Sequence, residues 1–218
     1  VQTGATNADP TKLPDGALVI AAGRDVNATG AVISNQSAKG ITSVQADRDI
    51  NLNTVTVGEQ SDFVRDANNY TKSGYTQEIG TQLSGNGHIV MSANRDVNAR
   101  AASVISDNGA VIVDAKRDIN ITAGEATMNY SSASQNTDRG MFSKTTTTTR
   151  DSISATQAQA STFSGNTVSM NAGNHLTIIG SNVVATGDVS LMAANNLTVS
   201  AATNTYTESH FSESKKRG

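Results

Sequence analysis

The sequence predicts an all-β fold, a right-handed parallel β-helix of about six coils with long β-hairpin excursions. Three observations predict it: a six-residue cassette that returns along the chain, aliphatic residues that line up in columns, and inserts of different composition. The cassette reads small residue, spacer, Arg, Asp, aliphatic, Asn. It occurs at 22–27, 46–51, 93–98 and 115–120, with looser copies at 172–177 and 193–198 in which Asn and His replace the charges. Its fourth residue falls at Asp25, Asp49, Asp96, Asp118, His175 and Asn196, in steps of 24, 47, 22, 57 and 21 residues. Three steps are of one length, and the other two equal such a step plus an insert of roughly 25 and 35 residues.

The stretch 1–15 is polar, contains both prolines, Pro10 and Pro14, and is expected to be an irregular lead-in. Coils are expected over 16–205. In register, Ile20, Val44, Met91, Val113, Met170 and Leu191 share a column. Leu18, Thr42, Ile89, Val111, Val168 and Val189 lie two residues before it, and an unbroken column of Ala lies two residues after. The residues between are mixed, so the segment alternates with period two and reads as a strand with one buried face. After the Arg-Asp pair, Val26, Ile50, Val97, Ile119, Leu176 and Leu197 form another column, with Ala28, Leu52, Ala99, Ile121, Ile178 and Val199 two residues on. This is a second strand. A straight run between the two would bury Arg24 beside Ala22 and Val26, and an unpaired buried guanidinium is too costly, so the chain bends at Arg24-Asp25. Two strands per coil, wound in one direction, pair in parallel, and the crossover rule makes the winding right-handed.

Stacking the coils lines up the cassette's polar residues. Asp25, Asn27, Asp49, Asn51, Asp96, Asn98, Asp118 and Asn120 are expected to form a structural ladder along one edge. A catalytic constellation occurs once, whereas this one recurs coil after coil, which argues against a substrate groove.

The excursions are expected at about 59–84 and 125–164, with the first arm of a truncated further hairpin at 206–218. On this reading all eight aromatic residues, Phe63, Tyr70, Tyr75, Tyr130, Phe142, Phe163, Tyr206 and Phe211, lie outside the coils. In the second excursion, Thr/Ser-rich arms flank Asp138-Arg139-Gly140, the pattern of an antiparallel hairpin. Gly140 and Gly218 stand 78 residues apart, as do Asp118 and Asn196, so the chain is expected to stop at the turn of another hairpin, as a fragment would. Arms polar on both faces have weakly specified register and open edges, able to pair with one another, with the coils or with a partner. Phe63, Tyr70, Tyr75, Tyr130 and Phe142 are the candidate partner contacts.

Composition suits a thin core more than a thick one: 36% apolar residues, two Pro and no Trp or Cys. The net charge of −3 gives no electrostatic case for nucleic acid or an anionic membrane. No run is apolar and long enough to span a bilayer as a helix, and 1–15 lacks the plan of a signal peptide. The absence of Cys excludes disulfide stapling without assigning a compartment. His88, His175 and His210 show no metal-ligand spacing, and no cofactor motif occurs.

The Arg-Asp-Val/Ile-Asn coils, the small-residue turns and the Thr/Ser arms around Arg-Gly closely resemble the hemagglutinin repeats of filamentous hemagglutinins and of contact-dependent growth inhibition proteins. The resemblance covers nearly everything from Gly16 onward. It implies a very large bacterial exoprotein, exported by two-partner secretion through an outer-membrane transporter that acts on another domain, and folded as a β-helical filament at the cell surface. It further implies a stretch of the second repeat region, which helps a C-terminal toxin across the target cell's outer membrane. Expected partners are that membrane or a host surface, and neighbouring coils at both ends. A host-cell adhesin segment without toxin delivery is the alternative. A polysaccharide-cleaving β-helix is a remote one, since it needs a unique acidic cluster or carboxylate-bound Ca²⁺.

Overall fold

The computed structural model describes residues 16–37 and 39–218; the expected lead-in at 1–15 lies outside them. Every element is a β-strand, numbered β1 to β22 in chain order. By their contacts the strands divide into a coil unit (16–55, 78–124 and 158–202) and a hairpin unit (56–77, 125–157 and 203–218).

The coil unit contains three parallel sheets. The first runs β1 (Leu18–Ala22), β4 (Thr42–Ala46), β9 (Ile89–Ala93), β12 (Ala110–Ala115), β17 (Thr167–Ala172) and β20 (Val189–Ala193). The second runs β2 (Val26–Thr29), β5 (Ile50–Asn53), β10 (Val97–Arg100), β13 (Ile119–Thr122), β18 (His175–Ile179) and β21 (Asn196–Ser200). Their registers are those of the sequence columns: Ile20 pairs with Val44, Val44 with Met91, and Val26 with Ile50. The chain bends between the two sheets at Gly23-Arg24, which lets the guanidinium point away from the interior.

A third strand per coil corrects the expectation of two. It builds a sheet from β3 (Val32–Asn35), β8 (Gln82–Gly85), β11 (Ser103–Ser106), β16 (Thr162–Gly165) and β19 (Asn182–Ala185). Each of these four-residue strands sends one large apolar side chain inward, Ile33, Leu83, Val104, Phe163 and Val183 in turn. The position two residues on is small or polar: Asn35, Gly85, Ser106, Gly165 or Ala185. There Asn35 and Ser106 are buried and donate to Gly16 O and Gly87 O at 2.8 Å, closing the corner into the next coil.

The same finding moves the edges of the excursions. Residues 82–85 and 162–165 belong to the coils, and Phe163 is a core residue with 0% exposure instead of an excursion aromatic. Three sheets enclose one thin interior, in which Ile50, Ile89, Met91, Val97, Ile119 and Leu176 are fully buried. Complete burial of such a side chain contributes about 1.5–3 kcal/mol, too little for a coil to stand alone, so stability comes from stacking. In the sixth coil the same columns lie open, with Leu197 at 49% and Val199 at 63% exposure.

The hairpin unit is one antiparallel sheet of five strands. Its order is β22 (Thr205–Arg217), β15 (Lys144–Gln159), β14 (Gly124–Arg139), β7 (Asn69–Ile79) and β6 (Val55–Asp66). The hairpins pair with one another: β14 meets β7 from Ala126↔Gln77 to Ala133↔Tyr70, and β15 meets β22 from Lys144↔Arg217 to Thr156↔Thr205.

Candidate functional site: the cassette ladder and the hairpin sheet

The cassette's charges pair between coils. Arg48 grips Asp25 of the preceding coil with two donors, Nε reaching Oδ1 at 2.9 Å and Nη2 reaching Oδ2. Arg95 does the same to Asp49, and Arg117 to Asp96, each with Nε to Oδ1 at 2.7 Å. Each carboxylate also accepts the backbone N–H one coil on: Asp49 N donates to Asp25, Asp96 N to Asp49, and Asp118 N to Asp96, at 3.2–3.3 Å. The bend leaves that N–H outside the sheet ladder, so the Asp satisfies a backbone donor while holding the next Arg. The hydrogen bond from Arg48 holds the Asp25 carboxyl down to about 2, against the opposing cost of desolvation. Arg95 likewise lowers Asp49.

The ladder is directional and turns neutral towards its end. Asn174 Nδ2 donates to Asp118 at 2.8 Å, and Asn195 Nδ2 to Asn174 Oδ1 at 2.6 Å. Beside it runs an amide ladder: Asn51 donates to Asn27, Asn98 to Asn51, and Asn120 to Asn98, each at 2.9 Å. Thr177 and Thr198 continue its column. All the ladder carboxylates are engaged with neighbouring coils, and no group of His, Cys, Asp and Glu able to hold a metal occurs among the described residues. The arrangement ties each coil to the one before it.

A second recurring position sits where the chain passes from the second sheet to the third. In the first, third and fifth coils the passage is a tight turn through a positive φ, at Gly30 (54°), Ala101 (46°) and Gly180 (57°). In the second, fourth and sixth the chain leaves along β6, β14 and β22. Hairpins are therefore launched by alternate coils. Two returning chains re-enter through a buried hydroxyl. Thr81 Oγ1 donates to Ala28 O at 2.8 Å and lies 3.4 Å from the donor Ala31 N; Ser161 Oγ donates to Thr122 O at 2.8 Å and accepts from Ala102 N at 2.9 Å. These groups satisfy backbone that the excursion interrupts. Sequence reasoning missed them, because Gly80-Thr81 and Ala160-Ser161 look like any other loop.

The hairpin sheet is polar on both faces and is registered by side-chain bonds. Thr76 and Thr127 hydroxyls lie 2.7 Å apart, Ser154 donates to Asn129 at 2.8 Å, and Gln135 donates to Thr148 at 2.9 Å. The first turn is closed by Asp66, which accepts from Asn68 N at 2.8 Å; that bond lowers its carboxyl. On the other side of the sheet, His210 lies 2.7 Å from both Asp151 and Glu208, and Asp151 first, then Glu208, raises its pKa.

The structure disperses the candidate partner contacts. Phe63, on β6, is 75% exposed, and Phe142 is 86% exposed at the second turn. Tyr70 is half-buried with the Lys72 ammonium 5.8 Å from its ring centre, while Tyr75 and Tyr130 stand on neighbouring strands beside an open trough of about 790 Å³. That trough is lined mainly by neutral polar residues such as Thr76, Asn129, Ser154 and Thr207, with Glu59, Asp62 and Lys72 as its charged members.

A stack of parallel coils with a directional ladder, and hairpins launched by every second coil, defines a repeat protein of the β-solenoid class. The hemagglutinin repeat profile matches residues 64–151 and 141–218, each match running from one hairpin towards the next. The chain belongs to the hemagglutinin-repeat family, which places it among secreted exoproteins of the bacterial cell surface. It is 36% identical over 206 residues to a tRNA nuclease CdiA of Escherichia coli strain STEC_O31, covering 92% of this chain and 6% of that protein. It is 40% identical over 142 residues to a 16S rRNA endonuclease CdiA of Enterobacter cloacae, covering 65% of this chain and 4% of that protein. The chain thus spans only a small fraction of these relatives. No solved structure matches it significantly.

Proposed function

We propose that this segment is a length of shaft in the second hemagglutinin-repeat region of a contact-dependent growth inhibition exoprotein, and that it helps carry a C-terminal toxin across the target cell's outer membrane. The observation that carries the reading is the two-coil repeat with its hairpin, present in a chain that matches a relative named tRNA nuclease CdiA over 92% of its length and one named 16S rRNA endonuclease CdiA over 65%. The nuclease in those names is an activity of those whole proteins. Here the recurring carboxylates serve register, and the segment's contribution is length, stiffness and the hairpin sheet. Export goes through an outer-membrane transporter acting elsewhere on the chain, and the target is the outer membrane of a neighbouring cell.

Deleting the segment from the intact exoprotein separates the readings. The expected result is normal export and normal attachment to target cells, with toxin entry lost. Loss of attachment with intact export would make the segment an adhesin, and unchanged toxin entry would remove it from delivery. Incubating the isolated segment with plant and bacterial polysaccharides should release no sugar; turnover would overturn the structural reading.

A further inference from the structure

We infer that the outer edge of β6 is a docking site for a strand, and that its occupant is the second arm of a hairpin launched two coils earlier in the same polypeptide. The inference stands apart from the toxin-delivery reading. Three strands of the hairpin sheet are first arms, leaving an even-numbered coil: β6, β14 and β22. Two of them have a second arm of the previous hairpin on one side. That strand is β7 for β14, joined over eight residue pairs, and β15 for β22, joined over thirteen. Among the described residues β6 has no such neighbour, and it ends the sheet.

The edge is only partly protected. Over twelve residues β6 contains no Pro and no Lys, and its charged residues are Glu59, Asp62, Arg65 and Asp66. Between and beside them Val55, Val57, Phe63 and Val64 are all more than 40% exposed. β22, the opposite edge, carries Lys215, Lys216 and Arg217 at its end. A free row of backbone donors and acceptors flanked by exposed apolar side chains fits an added strand. The internal pairings say which kind: an antiparallel second arm, as β7 is to β14 and β15 is to β22, and the Ser/Thr-rich β15 serves as its representative. The relatives, of which this chain covers 4–6%, have ample length for further hairpins.

The test uses the whole 218-residue chain and a synthetic peptide with the sequence of residues 144–159. Amide hydrogen exchange is followed with and without peptide, against a control peptide N-methylated at alternate residues to remove one edge of donors. The expected result is slower exchange, by about tenfold or more, at alternate amides of residues 55–66, absent with the control. Protection confined to β22, or no protection at all, would overturn the inference. So would a concentration-dependent dimer formed without peptide through β6 of two copies, because the edge would then recognise a first arm.

Discussion

The coils and the hairpin sheet are both built from strands, yet their registers are fixed in different places. In the coils the information points inward: Ile50, Val97, Ile119 and Leu176 form a column with no exposure, and a slip of one residue would turn it out to water. The outer ladder then adds an Arg to Asp25, Asp49 and Asp96, each of the coil before. In the hairpin sheet neither face is a core, and register rests on hydroxyl and amide pairs such as Thr76 with Thr127 and Gln135 with Thr148. One region is therefore intolerant of substitution along its buried columns, whereas the other is replaceable residue by residue and keeps its outer edges open.

The comparison is broken most severely by Ile119→Asp. An unpaired charge in the middle of the stack should cost about 4 kcal/mol or more and abolish cooperative thermal unfolding. Next comes Phe163→Ala, which empties the largest buried side chain of the third sheet and should cost about 3–5 kcal/mol by denaturant titration. Were Phe163 an excursion residue, the change would be silent. Acid sharpens the contrast. Asp25 and Asp49 have depressed folded-state pKa values, so the stability they contribute is complete above the ordinary carboxylate range, near 4, and is lost as pH falls towards 2. Thermal midpoints should fall between pH 5 and 2.5, and Asp49→Asn should flatten that slope, with Asp66 in the first hairpin turn supplying part of what remains. His210 has the opposite sign. Its pKa is raised, so its contribution is present below its unfolded value, near 6.5, and is lost as pH rises through the folded value. Protection factors of the β22 amides, which allow for base-catalysed intrinsic exchange, should therefore fall on the alkaline side while those of the coils stay unchanged.

Smaller effects refine the picture. Thr42 occupies a column otherwise filled by Leu, Ile and Val, and its buried hydroxyl has no partner among the described residues. Thr42→Val should raise stability by about 1 kcal/mol. Tyr75→Ala, at 50% exposure in the hairpin sheet, should stay within about 0.5 kcal/mol of the parent.

What could be read without coordinates follows the same division. Strands with two or three inward aliphatics declared themselves through their columns, and every pairing in the first two sheets agrees with them. The third sheet was hidden because Gln82-Leu83-Ser84-Gly85 and Thr162-Phe163-Ser164-Gly165 present one apolar residue among polar ones, which looks like the end of an insert. The cassette showed that Arg and Asp belong together. Adjacent in sequence, they suggest a pair within one coil, but the bend sends Arg48 back along the stack to Asp25. The arms were legible as hairpins. Their pairing with one another was not, since strands polar on both faces carry no buried stripe to specify a neighbour.

The launching of hairpins by alternate coils has a metric consequence. Strands stack at ~4.8 Å, so two coils lengthen the stack by ~9.6 Å, and one hairpin, being two strands, widens its sheet by the same ~9.6 Å. A hairpin on every coil would widen the sheet twice as fast as the stack grows, and one on every third coil would leave it short. With one per pair, each module adds the same increment to either kind of sheet. Insertion or loss of a single coil breaks that rhythm, whereas gain or loss of a pair with its hairpin preserves it, so proteins of this kind should differ in length by whole double coils.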